Sequence, residues 1–203
     1  FLDYKKEVNK NSIISIKGNL RKDNQLKFNL INLKEKNNEI SIKGLNLDRR
    51  FKIIDIDSFN ISYVNNKKIS NKISLRKNNS NFIIEGKSFD ASRLINDILD
   101  DDNLSQSIFK NLNSKINIRI KKTYIDEINY LNNLNGSIKF NNNKIDDLIL
   151  ESTFPNNKQI NLSIKKNDNS ETITKLFSNY PKPLIKRYDF IKGFEEGILD
   201  FYS

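Results

Sequence analysis

Residues 115–121 read KINIRIK, in which Ile116, Ile118 and Ile120 alternate with Asn117, Arg119 and Lys121. Strand side chains point to opposite faces in turn. This stretch therefore has one aliphatic face and one face that needs water. The same alternation recurs along most of the chain, and it narrows the possible folds more than any other feature. Amphipathic runs of strand length, joined by short turns, pair as antiparallel neighbours. Their shared apolar face is then buried against a second sheet, closed into a barrel, or left as a trough.

The runs are 12–18, 25–33, 39–47, 51–57, 59–64, 72–77 and 81–87 in the first half, and 115–121, 123–128, 134–140, 145–154 and 159–166 in the second. Asn-rich pairs separate them, and Asn tolerates the left-handed backbone of tight turns. The theme breaks twice. In SFDASRLINDILDDD (88–102), Ala91, Leu94, Ile95, Ile98 and Leu99 have helical spacing, with Asp90 placed as the cap. In NDNSETITKLFSNY (167–180), Ile173, Leu176, Phe177 and Tyr180 have it too, with Ser170 as cap and Pro181 and Pro183 as the stop. The expected fold is mainly β: an antiparallel meander forming a curled sheet or open groove, with short α-helices at about 90–100 and 171–179. Two strand-run-plus-helix units follow, 1–104 and 105–203, the second continuing beyond the sequence. With no Met in the chain and strand pattern at its end, the sequence reads as an internal piece of a longer protein.

The residue inventory removes whole classes of chemistry. The chain has no Cys and no His, so a Cys nucleophile, a His base and a zinc site of the usual ligands are excluded. Asp100, Asp101 and Asp102 form the densest carboxylate cluster but lack the Gly and the distal Glu of a calcium loop. Asp146 and Asp147 are sequence neighbours on a strand edge and face opposite ways, a poor acid–base pair. Gly193 to Gly197 precedes a strand pattern rather than a helix, so it is no phosphate cradle. Phe59 and Tyr63 flank Ile61 on one strand face and read as core rather than as a base-stacking platform. The net charge is +10, but the lysines are spread along nearly every strand. That distribution reads as solvated faces with AT-rich codon usage, and no nucleic-acid partner is expected. Neither an enzyme nor a cofactor is expected.

The two breaks also carry a resemblance. EGKSFDASRLINDIL (85–99), with Asp90, is similar to a strand-Gly, Asp and short-helix segment of the AsmA-like family, in particular its YhdP-type members. NDNSETITKLF (167–177) followed by YDFIKGFEEGILDF (188–201) resembles that family's C-terminal motif. Asp168 and Asn169 match its Asp-Asn, Leu176 a helix leucine, and Asp189, Ile191 and Gly193 its turn. Ser170 and Glu171 replace an Ala-Gly pair, and Gly193 and Gly197 are a Gly-Gly split by three residues. The resemblance implies a bacterial bridge-like lipid transfer protein of outer-membrane biogenesis. Such a protein is periplasmic, is tethered to the inner membrane by a segment outside this sequence, and has phospholipid acyl chains sliding along an apolar β-groove toward the outer membrane.

Two functional readings stay open. In the first, Ile116, Ile118, Ile120, Ile138, Phe140, Leu148, Leu150, Ile160, Leu162 and Ile164 line a lipid groove. In the second, the same residues are the core of a non-enzymatic structural or interaction β-domain, such as an adhesin-like surface repeat. Alternation does not separate them, because the inward face is aliphatic in both.

Overall fold

The computed structural model describes residues 4–20, 25–99, 109–167, 171–188 and 196–203. In chain order the first seven strands are β1 (Ile13–Leu20), β2 (Leu26–Glu35), β3 (Asn38–Leu47), β4 (Ile53–Asp55), β5 (Ser58–Val64), β6 (Ser70–Asn78) and β7 (Asn81–Asp90). Helix α1 (Ser92–Leu99) follows. Then come β8 (Lys115–Tyr124), β9 (Tyr130–Asn141), β10 (Lys144–Thr153), β11 (Gln159–Lys166), β12 (Thr172–Ser178), α2 (Lys182–Tyr188) and β13 (Leu199–Tyr202). All thirteen strands belong to one sheet in nearly sequential order, with β4 as a side branch on β3. β1 and β13 do not pair, so the sheet is open.

Every pairing is antiparallel except β7 with β8, which run parallel. A parallel neighbour needs a crossover, and here α1 begins it. The chain returns at the far end of β8, where Phe109 bridges Ile53. The expected helix at 90–100 is thus the start of this crossover, and the boundary between the two expected units falls within it. The sheet runs through that boundary unbroken. Turn chemistry follows the asparagines: Asn142 and Asn143, with φ of 48° and 66°, join β9 to β10 as a type I′ hairpin requires.

The second expected helix is not where its spacing placed it. Residues 172–178 form β12, paired along its length with β11, and the helix comes later, at Lys182–Tyr188. Thr172, Ile173 and Thr174 are β-branched and favour a strand. Thr174, Leu176 and Ser178 continue the face of β11, whereas Ile173 and Phe177 point the other way, so their helical spacing is incidental. The prolines do not stop a helix; they start one. Pro181 accepts the N–H groups of Leu184 and Ile185 at 2.9 and 3.0 Å, and a proline in the first turn loses no helical bond. Two smaller expectations also change. KINIRIK and the start of TYIDEI are one strand, with 125–129 forming the turn after it. Of 51–57, only Ile53–Asp55 is strand.

The crossover is pinned by a buried polar network. Asp90 is 8% exposed. Its carboxylate accepts Asn65 Nδ2 at 2.7 Å, Ser92 Oγ at 2.6 Å and the Ser92 N–H at 3.0 Å. Its own N–H donates to Asn71 Oδ1 at 2.8 Å. These bonds tie the end of β7 and the first residue of α1 to β6 and to the turn before it. Asp90→Ala leaves several buried donors without acceptors, each costing about 1–3 kcal/mol. The expected result is a loss of about 2–4 kcal/mol in urea unfolding, with far-UV circular dichroism still reading β-sheet.

Candidate functional site

Following the pairing register from strand to strand traces single rows of residues across the sheet. One row is Ile16, Ile31, Ile42, Phe59, Leu75, Ile84, Ile118, Gly136, Leu150, Leu162, Leu176 and Phe201. Eleven of its twelve residues are apolar. The next row, one residue along each strand and therefore on the opposite face, is Ser15, Asn32, Ser41, Asn60, Ser74, Glu85, Arg119, Asn135, Glu151, Asn161, Phe177 and Asp200. At 4.7–4.9 Å between strands, the apolar row runs for roughly 50 Å.

Gly136 is the one residue in that row without a side chain. Its φ is +155°, and a Cβ there would lie 1.9 Å from the Ile149 carbonyl oxygen. Backbone crowding between β9 and β10 therefore dictates the interruption.

All ten residues expected to line a groove lie on this face. Ile116, Ile138, Leu148 and Ile164 are successive partners in one row, and Ile118, Leu150 and Leu162 belong to the next. Ile120 and Phe140 follow by alternation, and Ile160 sits opposite Ser152, two residues on from Leu150. The face extends beyond them through β1 to β7, where the same alternation continues.

Both ends of the face are covered. At one end Leu45, Ile56, Phe82 and Leu112 form a cluster with Ile53 and Phe109, so the β4 excursion and the returning crossover lie over β2 to β9. At the other, Ile125, Leu131, Phe154 and Leu184 pack with Ile95 of α1 and with Tyr180. Of these residues Phe109, Leu112, Tyr180 and Leu184 lie off the strands, and Phe109, Leu112 and Leu184 stand outside every alternating or helical run, so periodicity does not single them out.

The second end depends on a line of irregularities. Register slips between Lys72 and Ile73 and between Glu151 and Thr153. Asn133 between them takes a φ of 54°. Beyond that line the buried positions of β8 shift from Ile118 and Ile120 to Thr123, as β-bulges cause. The bulges turn Leu131 toward the helices and send Lys122 outward, where its Nζ stacks 3.7 Å from the Tyr130 ring centroid.

Between the ends no second sheet faces the apolar rows, because all described strands belong to one ladder. The chain exposes 13406 Å², whereas a compact monomer of its 23.8 kDa exposes about 9,900 Å². Burial along the face is uneven. Ile118, Ile120 and Leu148 are below a tenth exposed, Leu150, Leu162 and Ile164 are half-buried, and Ile14 and Ile16 at the edge are more than half exposed. A depression of about 190 Å³ beside Ile53, Ile56, Phe82 and Leu112 is smaller than the 300–1,000 Å³ or so of an enclosing ligand pocket. A second, of about 350 Å³, lies on the opposite face among Asn132, Asn135, Glu151 and Asn161. Among the described residues no three carboxylates gather to hold a metal ion.

The motif residues scatter. Asp90 holds the crossover, Leu176 stands on β12 rather than on a helix, and Gly197 has open space around it at a φ of 98°. Asp168, Asn169, Asp189, Ile191 and Gly193 lie outside the described residues, as do Ser170 and the Asp100–Asp102 cluster. Compared with protein-family models, curated proteins and solved structures, the chain matches none.

On the rim, Asp146 accepts Lys139 Nζ at 2.7 Å and Lys166 Nζ at 2.9 Å, joining β9, β10 and β11. The Lys139 bond and then the Lys166 bond hold its carboxyl down at about 2. A folded-state pKa below the unfolded value stabilises the fold above about pH 4, and that contribution disappears as pH falls through about 2. An acid titration of thermal stability should show this loss between about pH 4 and 2 in the parent protein, and a smaller loss in Asp146→Asn.

Proposed function

We propose that the chain is a segment of a periplasm-spanning AsmA-like protein whose apolar sheet face carries phospholipid acyl chains between the inner and outer membranes. The observation that carries this reading is the apolar face, some twelve strands wide, whose central row is interrupted only at Gly136, with no second sheet among the described strands packed against it. An exposed apolar surface beyond a few hundred Å² marks a binding site in a soluble protein. The resemblance at 85–99 and 167–201 supports the same assignment.

The chemistry of the face suits hydrocarbon. The row from Ile16 to Phe201 is aliphatic and aromatic apart from Gly136, with no cation in it. Contact with methylenes is non-directional, at about 0.8 kcal/mol for each one buried. Spread over roughly 50 Å, such contact gives affinity without fixing a chain in one place. The opposite face, of Ser, Asn, Lys and Glu, keeps the sheet in water. The inner-membrane tether and the periplasmic location follow from the resemblance alone.

A structural or interaction β-domain is the second reading, favoured by the caps at both ends and by the deep burial of Ile118 and Leu148. Native mass spectrometry of the chain purified from bacteria, with lipid extraction, tests the first against the second. The expected result is about one or more phospholipids per chain, lost in Leu162→Asp and kept in Asn161→Asp. Leu162 is half-buried, so its variant keeps the fold. A lipid-free, stably folded parent protein overturns the transport reading.

A further inference from the structure

Asp48 to Lys52 closes the hairpin between β3 and β4 with a tight turn. The Phe51 N–H donates to the Asp48 carbonyl at 3.0 Å, and the Asp48 N–H to the Lys52 carbonyl at 2.9 Å. The same pair of bonds closes the turns 65–69 and 154–158. In each, the fourth residue has a left-handed backbone: Phe51 at φ 58°, Lys68 at 59° and Asn157 at 61°. Glycine and asparagine suit that position, and a bulky residue is strained there. Among the described residues, the other eight non-glycine positions of positive φ hold six asparagines and two lysines. Phe51 alone is aromatic, and it is 70% exposed. It therefore destabilises the fold twice, by backbone strain and by apolar surface left in water. At that exposure, packing within the chain offsets little of either.

The surroundings of Phe51 are basic. Arg49 and Arg50 are exposed on the same turn, and Lys52 follows. Exposed Lys110 lies alongside, its N–H bonded to the Ile53 carbonyl at 2.9 Å. The carboxylates of the hairpin are engaged. Asp48 Oδ1 accepts the N–H groups of Arg50 and Lys52, both at 2.9 Å, and Asp55 accepts Lys77 Nζ at 2.6 and 2.7 Å. Ile54, 40% exposed, adds a second apolar side chain beside the turn. We propose that this turn is a membrane-docking tip, in which Phe51 enters the headgroup region of an anionic phospholipid bilayer and the cations around it meet the phosphates. An apolar side chain flanked by Lys and Arg binds such an interface by burial and by charge together. The size of the patch favours a bilayer over a protein partner. Phe51 and Ile54 expose a few hundred Å² at most, below the roughly 800 Å² that each partner gives to a stable protein interface. A bilayer needs only an inserted ring and a countercharge. The β4 excursion covers one end of the apolar face, so docking through this turn sets that end of the strands against the bilayer. This inference does not rest on what the apolar face carries.

Flotation of the whole chain with vesicles tests this. Binding should be about tenfold tighter or more to vesicles of phosphatidylglycerol and phosphatidylcholine than to phosphatidylcholine alone. Phe51→Asn should weaken binding to the anionic vesicles about tenfold or more, as removal of an inserted ring requires. The same change should raise the melting temperature, because Asn157 holds the equivalent position in the turn at 154–158. Arg49→Gln with Arg50→Gln should weaken binding to a similar degree. Lys121→Gln with Lys165→Gln, which removes the same charge from exposed positions on the polar face, should leave it nearly unchanged. The chain has no Trp, so Phe51→Trp reports insertion directly. Its emission should shift to the blue on the anionic vesicles and be quenched by brominated acyl chains, with no shift on soluble polyglutamate. An unshifted emission, equal binding by the parent and Phe51→Asn, or equal losses in the two charge-removal pairs overturns the proposal. So does a lower melting temperature for Phe51→Asn, which makes the ring a folding residue, or an equal shift on polyglutamate, which makes the partner an acidic polypeptide.

Discussion

One constraint governs this molecule. Its described strands hydrogen-bond within a single sheet, and among the described residues no second sheet covers that sheet's apolar side. A β-sheet with one apolar face must bury it against something. Most all-β proteins solve this with a second layer or by closing a barrel. Here the ladder runs from β1 to β13 in one direction and stays open, so local devices carry the burial. The β4 excursion and the returning crossover cover one end of the strands, and α1 and α2 cover the other. The middle rows are left partly buried, and the surface exceeds that of a compact monomer.

The polar side follows from the same constraint. Ser, Asn, Lys and Glu alternate with the aliphatic rows, so each strand is soluble on one side wherever it stands in the sheet. The bulges matter for the caps. By shifting buried positions from Ile120 to Thr123 on β8, they turn the ends of β8 to β10 toward α1 and α2. The Asp90 network then holds the crossover so that α1 lies where those ends need cover.

Much of the sheet was legible in the sequence, for a definite reason. Period-2 alternation fixes which residues share a face, and Ile116, Ile118 and Ile120 meet Ile138, Leu148, Leu150, Leu162 and Ile164 as that pattern requires. The failures have physical causes too. Ile173, Leu176 and Phe177 have helical spacing, yet on β12 Leu176 faces one way and Ile173 and Phe177 the other, and only pairing with β11 decides this. Pro181 and Pro183 can end one helix or begin the next, and the Pro181 carbonyl, which accepts the Leu184 and Ile185 N–H groups, shows which. The parallel step at β7–β8 leaves no local mark, because it depends on where the chain returns after α1. Phe109, Leu112 and Leu184 cap the face from outside any periodic run, so no pattern announces them.

The account stands on the middle of the apolar face being open to hydrocarbon, and one measurement addresses that directly. A single cysteine at Leu162, labelled with a polarity-sensitive fluorophore, reports from the half-buried centre of the face; one at Asn161 reports from the opposite side of the same strand. On titration with oleate, the account predicts a saturable blue shift at 162 and none at 161. No shift at either position, or equal shifts at both, contradicts it and leaves the face as a closed core.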